Sequence, residues 1–145
     1  MLALIQRVSH ARVAVDGETV GEIGPGLLAL VGVEPGDGDA QVARMCDRLL
    51  GYRVFADAQG RMNLGLADTG GGLLLISQFT LAANTGSGMR PGFSTAAPPH
   101  AAEPVFSRLV AACGARHEGV ETGRFGAHME VSLVNDGPVT FLLRA

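Results

Sequence analysis

The sequence contains no lysine, and all 11 of its basic residues are arginine. A Schiff base, a lysine-dependent phosphate loop and a buried catalytic amine are therefore excluded. Its histidines are dispersed, with no two at a spacing that would make a ligand pair: His10, His100, His117 and His128. Zinc-binding His and Cys pairs, HExxH and GxSxG are also missing. We therefore expect no metal and no cofactor, and interpret the histidines as exposed, with a general base as the alternative.

Cysteine and charge are scarce as well. Cys46 and Cys113 each lie in an apolar, helix-like segment, which indicates reduced core thiols rather than a disulfide or a nucleophile. The apolar stretch before Gln6 is too short for a signal peptide or a membrane span, so we expect a cytoplasmic protein without membrane association. A net charge of −3 with 17% charged residues argues against an extensive phosphate footprint on nucleic acid, although a small RNA footprint stays open.

Glycine is abundant, at 21 of 145 residues, which is about twice the ordinary usage of roughly 7%. The glycines are scattered among Val, Leu and Ile rather than massed in a linker, and no repeat is visible. This length and composition are typical of one compact domain over residues 1–145 that needs no disulfide for stability.

Hydrophobic periodicity predicts strands separated by two amphipathic helices. Strands are predicted at 2–15, 18–23, 27–33, 52–55, 62–64, 73–83, 129–134 and 139–143, and helices at 40–51 and 100–113. Residues 84–99 contain three Gly and three Pro and are predicted to form a long loop. The predicted fold is a mixed α/β (α+β) single domain with a largely antiparallel sheet and two main helices.

Polar residues interrupt the most apolar predicted strand, in the motif Ser77-Gln78-Phe79-Thr80-Leu81. Strand alternation would place Ser77 and Phe79 on one face and solvate Gln78 and Thr80 on the other. Alternatively, the strand end offers backbone N–H groups and hydroxyls to a developing oxyanion. The residues themselves leave both interpretations open.

A second unusual motif is Asn135-Asp136-Gly137-Pro138-Val139-Thr140. Asp-Gly between two strands indicates a tight turn, and the following proline makes the Gly137–Pro138 bond a candidate for the cis form. Because Gly137 has no Cβ, a Gly-Pro pair opposite a catalytic strand would present rigid carbonyls to a ligand. A simple turn is the alternative.

These two motifs, with RPGFS at 90–94 and the N-terminal IQRVSHARVAVDGETVGEIGPGLLALVGV, resemble the D-aminoacyl-tRNA deacylase family over nearly the whole chain. The resemblance implies a barrel-like fold that dimerises through its sheet. It also implies a metal-free hydrolase, without a cofactor, for the ester between a D-amino acid and the 3′-terminal adenosine of tRNA. Glycine on tRNA(Ala) is implied as a further substrate. No DNA partner is expected.

The resemblance also implies roles for individual residues. Gly137 and Pro138, as a cis pair, would reach across the homodimer and exclude L side chains by steric clash, with Arg7 anchoring them. Ser77, Gln78, Phe79 and Thr80 would flank the scissile carbonyl. Either Thr80 is the nucleophile, or the ribose 2′-OH activates water while Phe79 and Thr80 supply main-chain donors. The second model is favoured because a threonine nucleophile needs an adjacent base.

One departure from the family pattern concerns the loop after SQFTL. Family members usually carry a basic stretch there, whereas this chain keeps only Arg90, which predicts weaker and less salt-sensitive tRNA binding. A non-catalytic nucleic-acid-binding dimer of the same fold and an esterase for small D-amino-acid esters are the competing functions.

Overall fold

The computed structural model describes residues 1–145 as one mixed sheet, a small hairpin and three α-helices. The strands are β1 Leu2–Val15, β2 Glu18–Ile23, β3 Gly26–Gly32, β4 Phe55–Ala56, β5 Met62–Leu64, β6 Gly72–Ser77, β7 Val120–Thr122 and β8 Glu130–Arg144. The helices are α1 Asp39–Gly51, α2 Leu66–Thr69 and α3 Pro99–Gly114, and a 3₁₀ turn covers Phe79–Ala82. No helix is long and apolar enough to cross a membrane.

The long strand β1 organises the sheet. β8 pairs antiparallel with β1 along one edge, while β3 and then β2 follow each other along the opposite edge. β6 pairs parallel with β3, and β7 pairs parallel with β6. The sheet is therefore antiparallel around β1 and parallel beyond β3, and β8 has no neighbour on its outer edge.

Both faces of the sheet are buried. One face packs against α1 and α3 through a core of 23 buried residues that includes Leu27, Leu75 and Leu109. The other face encloses a second core of 7 buried residues, including Leu28 and Leu74, which β8 covers with partly buried side chains. This arrangement confirms the α+β fold predicted from the sequence and the barrel-like sheet implied by the family resemblance.

The strand predicted over 73–83 ends early. β6 stops at Ser77, and the chain turns into the 3₁₀ segment, which lies against β3 at Gly32. A Cβ on Gly32 would stand 3.2 Å from Leu81 Cβ and 3.3 Å from the Gln78 carbonyl oxygen. The prediction of a continuous strand was wrong. Because Gly32 has no side chain, the 3₁₀ turn can pack directly against β3.

The end of the chain also differs from prediction. The two predicted strands form the single strand β8, since both halves pair with β1 rather than with each other. The pairing jumps from Gln6 opposite Thr140 to Val8 opposite Asn135. Residues 136–139 therefore bulge out opposite Arg7 and do not close a hairpin. The predicted strand over 52–55 was also wrong, because only β4 forms there, while α2 and β7 were not predicted.

Candidate active site

The strand-end corner, residues 77–80, is held in place by the central sheet. The Gln78 N–H donates a 2.7 Å hydrogen bond to the Val31 carbonyl oxygen, which extends the pairing of β6 with β3 by one step. The first hydrogen bond of the 3₁₀ turn is donated by Leu81 N–H to the Gln78 carbonyl, at 3.2 Å. The N–H groups of Phe79 and Thr80 precede that bond, so the turn itself offers them no acceptor.

Two polar side chains of the corner pair with each other. Gln78 Nε2 donates a 2.6 Å hydrogen bond to Thr80 Oγ1. The simple alternation of faces predicted for this segment does not apply, because the strand has already ended, yet the turn still brings these two side chains together. A neutral amide is not a general base, so its contact does not activate the Thr80 hydroxyl as a nucleophile.

A cavity of about 420 Å³ opens beside the corner. Gln78 and Phe79 line one side, the start of α3 with Phe106 lines another, and the turn around Phe125 closes the third. His128 also lines this cavity. That placement could not be predicted from the sequence, because nothing in the spacing of His128 links it to a motif more than 40 positions away.

The edge bulge, residues 136–139, carries the second motif. The Gly137–Pro138 peptide bond is cis, and Gly137 has a φ of +139°. A Cβ on Gly137 would lie 2.6 Å from Val139 Cγ2 and 2.9 Å from the Val139 nitrogen. The backbone at this position is therefore reserved for glycine, and the bulge exposes both Gly137 and Pro138 to solvent.

Side chains from the strands hold the edge bulge. Arg7 Nε donates to the Asp136 carbonyl oxygen at 3.0 Å, and Arg7 Nη1 donates to the Val54 carbonyl oxygen at 2.7 Å. Asn135 Oδ1 accepts from the Val139 N–H at 3.1 Å, and Asn135 Nδ2 donates to Thr140 Oγ1 at 2.9 Å. Arg7 thus ties the bulge to the segment after α1, while Asn135 closes its base.

The corner and the bulge do not meet within one chain. No residue of the bulge lines the cavity beside the corner. The corner follows β6, beyond β3, whereas the bulge lies on β8 at the opposite edge of β1. Val31, which anchors the corner, pairs with Ala3, four residues along β1 from Arg7, or about 13 Å at strand spacing. The structure therefore separates the two groups of predicted site residues.

Four further reactive side chains belong neither to the cavity lining nor to the bulge. Cys46 and Cys113 are free and buried, and burial raises the pKa of the Cys113 thiol, with Cys46 raising it further. That thiol therefore stays protonated at neutral pH and is not a nucleophile. His10 pairs with Glu22, and His117 contacts the Gly71 carbonyl oxygen at 2.7 Å.

The whole fold is similar to that of solved proteins. A structure described as c-Myc DNA Unwinding Element Binding Protein is 34% identical, with a TM-score of 0.96, over 100% of this chain and 99% of that one. A structure described as a probable eukaryotic D-amino acid tRNA deacylase is 13% identical, with a TM-score of 0.83, over 99% of this chain and 98% of that one. The second likeness is one of fold alone.

Sequence comparison gives the family. The model described as D-Tyr-tRNA(Tyr) deacylase matches residues 4–144. The D-aminoacyl-tRNA deacylases of Xanthomonas axonopodis pv. citri (strain 306) and Stenotrophomonas maltophilia (strain K279a) are each 73% identical over 145 residues, covering 99% of both chains. The family model and these relatives define a hydrolase. The chain belongs to the D-Tyr-tRNA(Tyr) deacylase family, which confirms the resemblance seen in the sequence.

Proposed function

We propose that the protein hydrolyses the ester bond of D-aminoacyl-tRNA and of glycyl-tRNA(Ala), and rejects L-aminoacyl-tRNA with the edge bulge of a partner subunit. The substrate class follows the names of the family and of its 73% identical relatives. The observation that carries the proposal is that both motifs are preformed but lie apart in one chain, with the bulge exposed on an unpaired edge strand.

A homodimer is the arrangement that would join them. The outer edge of β8 has no neighbour, and three large apolar side chains of that strand are exposed: Val134 by 58%, Phe141 by 39% and Leu142 by 47%. A long apolar edge strand is a site for pairing with another chain. A two-fold dimer that buries these exposed side chains would bring each bulge to the corner of its partner in the proposed arrangement, completing two equal sites.

The chemistry proposed at the corner uses main-chain groups. The N–H groups of Phe79 and Thr80 stabilise the negative charge that develops on the carbonyl oxygen when water attacks the ester. The ribose 2′-OH orients that water. The bond from the carbonyl carbon to the ribose O3′ then breaks, and O3′ takes up a proton from the attacking water. Free tRNA and the amino acid leave. The contact of Thr80 with Gln78, which is an amide and not a base, supports this model over a threonine nucleophile.

The chiral filter is assigned to the carbonyls of Gly137 and Pro138. They accept hydrogen bonds from the α-ammonium group and place the Cα of the amino acid against a bulge that Arg7 and Asn135 hold rigid. An L side chain would point into this backbone and clash, whereas a D side chain would point away. Glycine has no side chain to reject, which accounts for glycyl-tRNA(Ala) as a further substrate.

The cavity beside the corner suits the terminal adenosine. Its volume of about 420 Å³ is within the usual range of small-molecule sites. Phe106 and Phe125 line it, and aromatic rings of this kind pack against a nucleobase. With a net charge of −3, recognition confined to the end of a cytoplasmic tRNA agrees better with the chain than an extended phosphate footprint.

The test compares four substrates: D-tyrosyl-tRNA, L-tyrosyl-tRNA, glycyl-tRNA(Ala) and a free D-tyrosine ester. We expect hydrolysis of the first and third only, by a protein that light scattering shows to be a dimer. Equal hydrolysis of the D and L forms would refute the chiral filter, and a monomer with full activity would refute the shared site.

A second candidate is a non-catalytic nucleic-acid-binding dimer of the same fold. It is favoured by the solved relative whose name refers to DNA binding. Binding of tRNA without release of any amino acid would support it. Hydrolysis of the free ester alone would instead identify an esterase for small D-amino-acid esters.

A further inference from the structure

The loop at residues 84–98 is ordered next to the corner by its own hydrogen bonds. Asn84 and Gly92 exchange two backbone bonds, of 2.7 and 2.9 Å. Thr95 Oγ1 donates to the Ala82 carbonyl oxygen at 2.6 Å, which ties the end of the loop to the 3₁₀ turn. These bonds fix the loop on both sides of Phe93.

Phe93 extends the active site outward by stacking on Phe79. The two ring centroids are 4.9 Å apart, with an interplanar angle of 24°. Phe79 lines the cavity beside the corner, whereas Phe93 does not, so the stacked pair continues from the cavity wall onto the loop. Both rings remain open to solvent, by 44% for Phe79 and 41% for Phe93. An exposed aromatic pair that the chain itself does not cover leaves a surface for a flat ligand.

We propose that Phe93 stacks on the base of the nucleotide that precedes the terminal adenosine of tRNA. This assignment rests on the proposed function, because it requires the terminal adenosine in the cavity. A strand that leaves the cavity past Phe79 meets the ring of Phe93 next. Single-stranded nucleic acid is bound by successive aromatic platforms beside cations. Arg90, which is exposed and three positions before Phe93, supplies the charge for a phosphate of the same strand.

The hydrogen bonds of the loop hold Phe93 in place before a ligand binds. A flexible loop would lose conformational entropy when a base stacked on it, which weakens binding. Here the backbone on both sides of Phe93 is already hydrogen-bonded, so the ring is in position before the ligand arrives. Met89, which is 100% exposed, adds apolar surface on the same loop.

The experiment measures kcat/KM on two trinucleotide substrates with D-tyrosine on the 3′-terminal adenosine. One has the normal middle nucleotide, and the other has an abasic site there. For the unaltered protein we expect removal of the base to lower kcat/KM about tenfold, which is the scale of one base–aromatic stack. Phe93→Ala should be about tenfold slower on the normal substrate and insensitive to the abasic site. Phe93→Tyr should restore the preference.

Several results would overturn the assignment. The abasic site could lower kcat/KM by the same factor for the unaltered protein and for Phe93→Ala. That result would show that the base stacks elsewhere. Dissociation of the dimer by Phe93→Ala would show that the ring contacts a second copy. Phe93→Leu, which keeps apolar volume, serves if the alanine variant fails to fold. Met62→Ala, at a 53% exposed apolar residue on β5, is the matched surface control and should leave both rates unchanged.

The outcome also separates this inference from the proposed function. If the unaltered protein fails to deacylate D-tyrosyl-tRNA, the proposed function is wrong. If it deacylates that tRNA but shows no preference for the normal trinucleotide over the abasic one, only the role of Phe93 is wrong.

Discussion

The strand-end corner and the edge bulge are positioned in opposite ways. The corner follows directly from a strand buried on both faces, and main-chain hydrogen bonds to Val31 and within the 3₁₀ turn set its shape. The bulge lies on an outer strand, and side-chain bonds from Arg7 and Asn135 set its shape. The corner therefore depends on the sheet, whereas the bulge depends on a few individual side chains.

This difference suits the two tasks proposed for them. Stabilising an oxyanion requires N–H groups that do not move during the reaction, and a turn anchored to a central strand holds them in place. Rejecting a side chain in a partner subunit, as proposed, requires a protruding obstacle, and the exposed bulge on an edge strand presents one. We therefore expect single substitutions to disturb the bulge far more than the corner.

The largest effect is expected from Gly137→Ala. Its backbone has φ +139°, and the added methyl would lie 2.6 Å from Val139 Cγ2. Because such strain amounts to about 1–3 kcal/mol at one residue, the bulge should rearrange, and kcat/KM on D-tyrosyl-tRNA should fall about 100-fold. The melting temperature should fall by only a few degrees, since the bulge is exposed.

Gly60→Ala is the matched control for that variant. Gly60 also has a positive φ, of +77°, but nothing lies within 4 Å of an added Cβ. Gly60→Ala should lower the melting temperature, because alanine strains this backbone conformation, but it should not lower kcat/KM. Full activity of Gly137→Ala would mean that the bulge does not shape the site.

Arg7→Met should give the next largest effect. The methionine keeps much of the side-chain length but removes the bonds to the carbonyls of Asp136 and Val54. We expect a roughly tenfold loss of kcat/KM, from the loss of charged hydrogen bonds, together with a measurable rise in hydrolysis of L-tyrosyl-tRNA. Arg7→Lys should not restore selectivity, because an ammonium group lacks the planar fork of the guanidinium.

Arg12→Met tests whether any arginine on β1 would behave in this way. Arg12 is exposed and lies on the same strand. We expect it to leave the ratio of D to L hydrolysis unchanged, and an Arg7→Met variant with that same unchanged ratio would exclude Arg7 as the support of the bulge.

Sequence patterns predicted the strands and helices well where one local signal was enough. Asp16 and Gly17 adopt positive φ values of 50° and 79°, as a two-residue hairpin turn requires, and the apolar run of β3 is buried on both faces. The end of β6 was missed because it depends on Gly32, a residue of another strand. Local alternation carries no information about such a contact.

The bulge shows the same limit. Asp-Gly between two apolar segments indicates a hairpin turn, but both segments pair with β1 because that strand is long enough to accommodate them in line. The placement of His128 at the cavity likewise depends on how β6, α3 and the turn around Phe125 pack together. The unusual residue types at both motifs could be recognised from local sequence patterns, whereas their separation within one chain was implied only by the family resemblance.

Thr80→Ala examines the corner and should have a small effect. The variant keeps the main-chain N–H and loses only the hydroxyl, whose partner is the Gln78 amide. We expect kcat on D-tyrosyl-tRNA to fall less than about fivefold, well below the 10²–10³-fold typical of a lost oxyanion-hole donor. Complete loss of turnover with unchanged tRNA binding would instead identify Thr80 as the nucleophile, and Ser94→Ala, on the neighbouring loop, serves as the hydroxyl control.

The smallest effect is expected from removing one positive charge, measured as the salt dependence of kcat/KM. This effect also distinguishes the corner from the bulge. Arg90 lies on the exposed loop beside the corner, whereas Arg7 is engaged within the chain at the bulge. Each phosphate contact to a single strand contributes a slope of about −0.7 to the dependence of log affinity on log salt. Arg90→Gln should therefore flatten the salt dependence of kcat/KM by about 0.7, while Arg7→Met should lower activity without changing that slope. A steep slope that survives Arg90→Gln would place the phosphate contacts on other arginines and would remove the loop beside the corner from the path of the tRNA.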